Sequence, residues 1–108
     1  MTTGVTAPLG FRAAGITAGL KESGKPDLAV VVNDGPSSAA AAVFTSNRCK
    51  AHPVLWSEQA MKGGTAKAVV LNSGGANCYS GPDGFAATHR TAEVAAELLG
   101  IGPIDVQV

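Results

Sequence analysis

The residues best suited to binding a polar ligand lie in one short loop, residues 72–77 (NSGGAN). Asn72 and Asn77 carry amide donors and acceptors, while Gly74 and Gly75 allow backbone N–H groups to approach a ligand closely. The loop follows an apolar run and precedes a helical pattern, and strand-end loops of α/β folds commonly hold sites. These four residues are therefore our candidate substrate-binding set. A tight strand-to-helix connector without a ligand explains the same residue types, and the loop alone does not separate the two interpretations.

Other reactive side chains lack the partners that catalysis or metal binding requires. His52 has no nucleophile or carboxylate beside it in sequence, and His89 falls near a polar helical face next to Arg90. Cys49 lies between two cations, which favour a reactive thiolate, but a free cysteine is more commonly a small buried apolar residue. Neither Cys49 nor Cys78 has metal-ligand spacing to a histidine. We therefore expect no metal site, and two free thiols in preference to a disulfide.

One stretch matches the spacing of a phosphate-binding loop, because Gly19 is followed at the correct distance by Gly24 and Lys25. Such a loop continues with Ser or Thr, which holds Mg²⁺, whereas this chain has Pro26. Proline also lacks the backbone N–H that the start of the following helix would supply. We interpret residues 21–26 as a charged hairpin loop instead.

The composition excludes several classes of function. The chain has 108 residues with 8 basic and 8 acidic side chains and a net charge of +0, so it lacks the basic surface that nucleic acids or anionic membranes require. It has neither a secretory signal nor an apolar run long enough to span a bilayer, which predicts a cytoplasmic protein. Hydrophobic residues make up 45% but aromatic residues only 5%, which predicts a core of small side chains that needs further surface to pack against.

The hydrophobic periodicity predicts an α/β fold, with a mixed sheet and flanking helices, in which residues 1–108 form the N-terminal portion of a single domain. The predicted strands cover residues 11–20, 28–32, 39–44, 53–56, 66–71 and 104–108. The last of these ends in mid-element, so we expect the fold to be incomplete.

Two helices are predicted between these strands. A short one covers residues 57–61, with Ser57 as its N-cap. The long one covers residues 83–99, with Ser80 and Asp83 as a capping box and Gly100 as its end. Its predicted core face is formed by residues at helical spacing. They are Phe85, Ala92, Ala95, Ala96 and Leu99.

Several blocks, taken in order, resemble the N-terminal part of the bacterial glutamate N-acetyltransferase family, also called ornithine acetyltransferase. The blocks are residues 4–8 (GVTAP), 10–15 (GFRAAG), 27–31 (DLAVV), 42–47 (AVFTSN), 53–57 (PVLWS), 68–77 (AVVLNSGGAN), 88–89 (TH) and 91–93 (TAE). Together they cover nearly all of the chain. The chain departs from the family where Asn77 is followed by Cys78, Tyr79, Ser80 and Gly81, since the family usually reads Asn-Ala-Cys-Thr-Gly there.

The resemblance implies a self-processing enzyme of arginine biosynthesis that moves an acetyl group from N-acetylornithine to glutamate. It implies no cofactor, although some members also use acetyl-CoA as a co-substrate. The precursor cuts itself before a Thr, which becomes the first residue and the nucleophile of a second chain, the β-chain. The resemblance also implies an α2β2 heterotetramer as the assembly.

The family's catalytic residues do not match any position of this sequence. The Thr-Gly pair that forms the oxyanion hole would lie just after Val108, and the nucleophilic Thr much further on. We therefore assign no catalytic residue, and expect the isolated 108-residue chain to be inactive. The alternative hypotheses are a non-catalytic truncated remnant and a small-ligand-binding or partner-binding α/β module.

Overall fold

The computed structural model describes residues 4–108, which form a four-stranded mixed sheet with two helices. The strands are β1 (Phe11–Ile16), β2 (Leu28–Asn33), β3 (Ala68–Asn72) and β4 (Val106–Gln107), and they lie side by side in chain order. Strands β1 and β3 each run antiparallel to β2, which lies between them, while β4 runs parallel to β3. The predicted fold class, a mixed sheet with flanking helices, is confirmed.

The long helix α2 (Gly81–Leu99) connects β3 to β4 and packs on one face of the sheet. Its end at Gly100 is confirmed: Gly100 has φ +70°, and the N–H of Ile101 donates to the carbonyl of Ala96 at 3.0 Å. The predicted core face is partly correct, because Ala92 and Ala96 are fully buried against the sheet. Phe85 is instead 38% exposed.

The capping box predicted from Ser80 and Asp83 does not form. Ser80 precedes the helix, but its hydroxyl donates to the side-chain oxygen of Asn77 and makes no cap to the helix N–H groups. Asp83 lies in the first turn, where a negative charge complements the helix dipole.

Residues 53–56 do not form the predicted strand, because helix α1 (His52–Ala60) covers them together with most of the predicted short helix. Pro53 fits the first turn of a helix, where its missing N–H is not needed. Ser57 is therefore a buried residue inside α1 and not an N-cap. Long-range contacts stabilise the helix: the indole N–H of Trp56 donates to the carbonyl of Val106 at 2.9 Å.

The strand predicted at residues 39–44 is also replaced. This segment is irregular and is attached at its start, where Ala39 forms an isolated bridge with Thr65 and the N–H of Ala40 donates to Gly64 at 2.9 Å. The small, Ala-rich side chains of residues 39–42 offer little to hold a strand in a sheet.

The strand predicted at residues 104–108 is shorter in the structure. Residues 103–105 form a 3-10 turn, and β4 begins only at Val106.

The buried core consists of small residues from the sheet and α2. They are Ala68, Val70, Ala92, Ala96 and Val106. Several large apolar side chains stay exposed, among them Leu98 at 82% and Leu71 at 50%. Neither helix of the described residues has the length and apolar character needed to cross a membrane.

Close packing of α2 against the sheet predicts sensitivity to side-chain size at Ala92. Ala92→Leu adds three carbon atoms where no surface is exposed, and should lower the free energy of unfolding by about 1–3 kcal/mol. Ala86→Leu on the exposed face of α2 is the matched control and should change it by less than about 0.5 kcal/mol. Urea unfolding followed by circular dichroism measures both, and equal effects would contradict the described packing.

Candidate functional site

A wide cleft of about 1470 Å³ lies between the sheet and α2. The sheet contributes alternate residues of β2, Leu28, Val30 and Val32, which point to the same side of the sheet. Helix α2 contributes residues of its last turns, including Val94 and Leu98. The cleft has mainly apolar walls with a few polar groups, as small-molecule sites do, but its volume exceeds the roughly 300–1,000 Å³ that is usual for them.

The predicted loop lies at the mouth of this cleft, and three of the four candidate residues line it. Asn72 is the exposed last residue of β3, and Gly75 and Asn77 follow along the rim. Gly74 does not line the cleft but packs against the hairpin between β1 and β2. A ligand-binding role for the four residues stays a prediction.

Asn77 is tied to the start of α2 by its side chain. Its amide nitrogen donates to the carbonyl of Gly84 at 2.6 Å and to the hydroxyl of Thr88 at 2.9 Å. Its backbone carbonyl also accepts a hydrogen bond from His52 at 3.1 Å. These bonds join the loop to both helices, so Asn77 has a structural role whether or not it contacts a ligand.

Gly84 must remain a glycine for this arrangement. A Cβ atom there would lie 1.9 Å from the hydroxyl oxygen of Ser80 and 2.5 Å from the side-chain oxygen of Asn77.

Tyr79, which stands where the family has a small residue, adopts a left-handed conformation with φ +57° and is 80% exposed. The large side chain is therefore accommodated by pointing into solvent.

Asp27 is a structural residue of the loop region that the sequence analysis did not single out. It is 4% exposed, and its carboxylate accepts hydrogen bonds from the N–H groups of Ala18 and Leu20 at 2.6 Å and of Lys21 at 3.0 Å. Its backbone carbonyl accepts from the N–H of Ser73 at 2.9 Å. Asp27 thus connects the hairpin loop to the Asn72 loop.

The same bonds explain why the hairpin is not a phosphate site. Its converging N–H groups are already occupied by the carboxylate of Asp27, which stands where an anion would be held.

The hairpin predicted at residues 21–26 is confirmed by the antiparallel pairing of β1 with β2. A sequence signal existed, since an acidic residue after a Gly-rich loop is a natural acceptor for that loop's N–H groups.

Both arginines that line the cleft are paired. Arg12 binds Asp34 through two nitrogens, one of them at 3.0 Å, and this pairing lowers the pKa of the Asp34 carboxyl and raises the pKa of Arg12. Arg90 lies 3.3 Å from Glu93 one turn along α2. The cleft therefore carries little uncompensated charge from these two groups.

The histidines lie between the helices and do not line the cleft. His52 packs edge-on to Phe85 with ring centroids 6.1 Å apart, and His89 packs on Trp56 at 4.9 Å. Cys49 is exposed and Cys78 is half-buried, and both are free thiols. Among residues 4–108, no three His, Cys, Asp or Glu side chains are arranged to hold a metal ion.

Comparison with known proteins identifies the family of the chain. The family model described as the ArgJ family matches residues 12–108, which include both helices, the Asn72 loop and all strand residues except Phe11. The chain belongs to the ArgJ family. The resemblance seen in the sequence blocks is thereby confirmed.

Similar proteins include two that carry the name arginine biosynthesis bifunctional protein ArgJ. The one from Streptomyces coelicolor is 67% identical over 104 residues, which are 96% of this chain and 27% of that protein. The one from Mycobacterium tuberculosis is 57% identical in an alignment of 110 positions that covers 97% of this chain and 27% of that protein. The chain thus spans about a quarter of the length of the curated ArgJ relatives it matches.

Two solved structures share the fold. Ornithine acetyltransferase from Mycobacterium tuberculosis, complexed with ornithine, matches with a TM-score of 0.96 and 57% identity, covering 97% of this chain and 57% of that one. The ArgJ protein from Bacillus halodurans matches with a TM-score of 0.89 and 34% identity, covering 96% of this chain and 54% of that one.

The two glycines of the Asn72 loop should differ sharply in tolerance. Gly74 has φ +95°, and a Cβ atom would lie 2.6 Å from the Lys21 side chain, so Gly74→Ala should lower the free energy of unfolding by about 1–2 kcal/mol or more. A Cβ atom at Gly75 would contact only Leu20, at 4.0 Å, so Gly75→Ala should change the free energy of unfolding by less than about 0.5 kcal/mol. Urea unfolding of both variants checks this, and equal losses would contradict the different surroundings.

Asp27 should make stability depend on acid pH. Its N–H donors, that of Ala18 first, lower the pKa of the carboxyl below its ordinary value of about 3.9. The stabilisation is therefore complete above that ordinary pKa and is lost as the pH falls through the lowered one. Asp27→Asn places an amide NH₂ near N–H donors and should reduce the melting temperature at pH 7.

The deficit of Asp27→Asn relative to the unsubstituted chain should remain constant from pH 7 to about pH 5 and shrink below about pH 4. Glu22→Gln is the control, because it removes an exposed carboxylate from the same hairpin loop. Thermal melts at several pH values measure both variants. A deficit that persists undiminished at the lowest pH would refute the role of the ionised carboxylate.

Proposed function

We propose that this chain supplies the N-terminal scaffold of an ArgJ acetyltransferase that moves acetyl from N-acetylornithine to glutamate. The observation that carries the proposal is the likeness to ornithine acetyltransferase from Mycobacterium tuberculosis, at 57% identity over 97% of this chain. Such identity across the sheet, both helices and the loop supports a common role for these elements. The compartment that fits arginine biosynthesis is the cytoplasm.

The chemistry of the proposed enzyme is a two-step acetyl transfer. The hydroxyl of a nucleophilic Thr attacks the acetyl carbonyl of N-acetylornithine, the amine of ornithine leaves, and an acetyl-enzyme ester remains. The amine of glutamate then attacks that ester and regenerates the hydroxyl. Both tetrahedral intermediates need oxyanion donors. We place these groups in the parent enzyme outside residues 1–108, since no position of this sequence matches them.

The contribution of this chain would be to form the sheet wall and the helix wall of the substrate cleft. The apolar residues of β2 and α2 exclude water from one side, and the Asn72 loop presents polar groups at the mouth. The bonds from Asn77 and Asp27 fix the loop between the helices and the hairpin. Fixed polar groups lose less entropy on binding than mobile ones do.

The partners of the chain follow from the same proposal. The remainder of the enzyme, including a β-chain that begins with the nucleophilic Thr, would complete the cleft in an α2β2 assembly. Acetyl-CoA would be an alternative acetyl donor for the parent enzyme, and no bound cofactor is needed for the transfer itself.

A chimera tests the proposal directly. Residues 4–108 replace the matching segment of the Streptomyces coelicolor ArgJ protein, to which they are 67% identical. We expect the chimera to transfer acetyl from N-acetylornithine to glutamate within about tenfold of the parent kcat/KM. The isolated 108-residue chain should show no transfer.

The controls distinguish a scaffold role of this chain from a catalytic role. Native mass spectrometry of the chimera must show the same assembly as the unmodified ArgJ protein, which establishes folding independently of activity. An assembled but inactive chimera would exclude the proposal and favour a non-catalytic remnant. Transfer by the isolated chain would mean that the catalytic groups lie within residues 1–108.

Within the chimera, the Asn72 loop should affect binding and not the chemical step. Asn72→Ala removes an exposed amide at the mouth of the cleft and should raise KM for N-acetylornithine about tenfold with little change in kcat. Ser73→Ala is the matched control, because Ser73 is also exposed but does not line the cleft. An unchanged KM for Asn72→Ala would remove Asn72 from the substrate-binding set.

A further inference from the structure

The cleft between the sheet and α2 is larger and more apolar than its proposed substrates require. Its volume of about 1470 Å³ exceeds the roughly 300–1,000 Å³ that is usual for small-molecule sites. N-acetylornithine and glutamate carry charged groups, which apolar walls do not stabilise. The two arginines that line the cleft, Arg12 and Arg90, are already paired with Asp34 and Glu93. The apolar part of the cleft therefore suits an occupant other than the substrate.

The floor of the cleft is a part of the sheet that α2 does not cover. Ala14, Val30 and Val70 lie side by side on β1, β2 and β3, and all three line the cleft. Four strands spaced about 4.8 Å apart make a sheet roughly 15–20 Å wide, whereas one helix is about 10–12 Å across. Helix α2 packs on Val70 and Val106 of β3 and β4. In the described part of the chain, room for one further helix therefore remains over β1 and β2.

Helix α2 presents a second row of side chains to this space, next to the row of small buried residues that faces the sheet. Its members line the cleft and follow one another at intervals of four, three and four residues: Ala87, Thr91, Val94 and Leu98. This is the spacing of the seam along which two helices pack. The last member, Leu98, is 82% exposed. The row and the floor together form a mainly apolar groove with the width of a helix.

The parent protein has enough further sequence to supply that helix. The chain spans 27% of the Streptomyces coelicolor ArgJ protein that it matches, so about three quarters of such a protein lies outside it. We propose that an amphipathic helix from this remainder fills the groove, with its apolar face against Val30 and Leu98, and confines the substrate to the mouth at the Asn72 loop. The inference rests on the proposed function, because its occupant belongs to the same ArgJ enzyme.

Photocrosslinking in the assembled chimera identifies the occupant. The photoreactive amino acid benzoylphenylalanine replaces Leu98 in one variant and Val94 in another, and mass spectrometry locates the linked peptides. Both variants should link to the ArgJ sequence outside the segment that residues 4–108 replace. The two attachment points should lie three or four residues apart, because Val94 and Leu98 are about one helical turn apart. Links to residues 4–108 of a second copy, or no link to any segment, would overturn the proposal.

Thiol labelling of the same chimera distinguishes a helix in the groove from an open substrate cleft. Leu98→Cys should react with a maleimide at least about tenfold more slowly than Glu97→Cys, an exposed neighbour outside the cleft, with or without N-acetylornithine. Mass spectrometry assigns the label to its peptide. Equal rates, or protection of Leu98→Cys only when N-acetylornithine is present, would refute the inference. Neither experiment measures catalysis, so failure of the proposed acetyl transfer and failure of this inference give different results.

Discussion

The close approach of helix α2 to the sheet is the constraint on which the remaining arrangement depends. The helix buries one residue at every fourth position, Gly84, Thr88, Ala92 and Ala96, and all four are small. Small side chains let the helix axis lie near β3 and β4, where Val70 and Val106 fill the remaining space. A larger residue at any of these positions would push the helix away from the sheet.

The first two of these buried residues, Gly84 and Thr88, also position the candidate site. Gly84 leaves room for Ser80 and Asn77 to pack against the first turn of α2, and Asn77 uses that room to bind the carbonyl of Gly84 and the hydroxyl of Thr88. The polar loop is therefore positioned by the packing of an apolar helix. A ligand at the mouth of the cleft would meet groups whose positions are already set, which reduces the entropy lost on binding.

Asp27 makes the corresponding connection on the other side of the loop. Its buried carboxylate gathers three N–H groups of the β1–β2 hairpin, and its backbone carbonyl holds Ser73. The sheet, hairpin, loop and helix are thus linked by hydrogen bonds, of which the one between Ser73 and Asp27 joins residues far apart in sequence. The candidate site of this ArgJ family member is held from two directions, by Asn77 on the helix side and by Asp27 on the sheet side.

The sequence by itself determined the elements with strong periodicity and the location of the polar loop. The apolar runs that became β2 and β3 and the helical pattern that became α2 were predictable, because their spacing is local information. The resemblance to the ArgJ family likewise depended only on the order of short blocks. The Asn72 loop was identified by residue type and by its place at the end of a strand.

Only the tertiary structure decided what each polar or ambiguous residue does. Residues 53–56 have strand-like composition but form part of α1, since Trp56 and Ser57 find hydrogen-bond partners some 50 positions away. Asn77 serves the start of α2, and Asp27 occupies the donors of the hairpin. Hydrogen bonding and burial in the folded chain set these roles, and neither has a period that a single sequence can display.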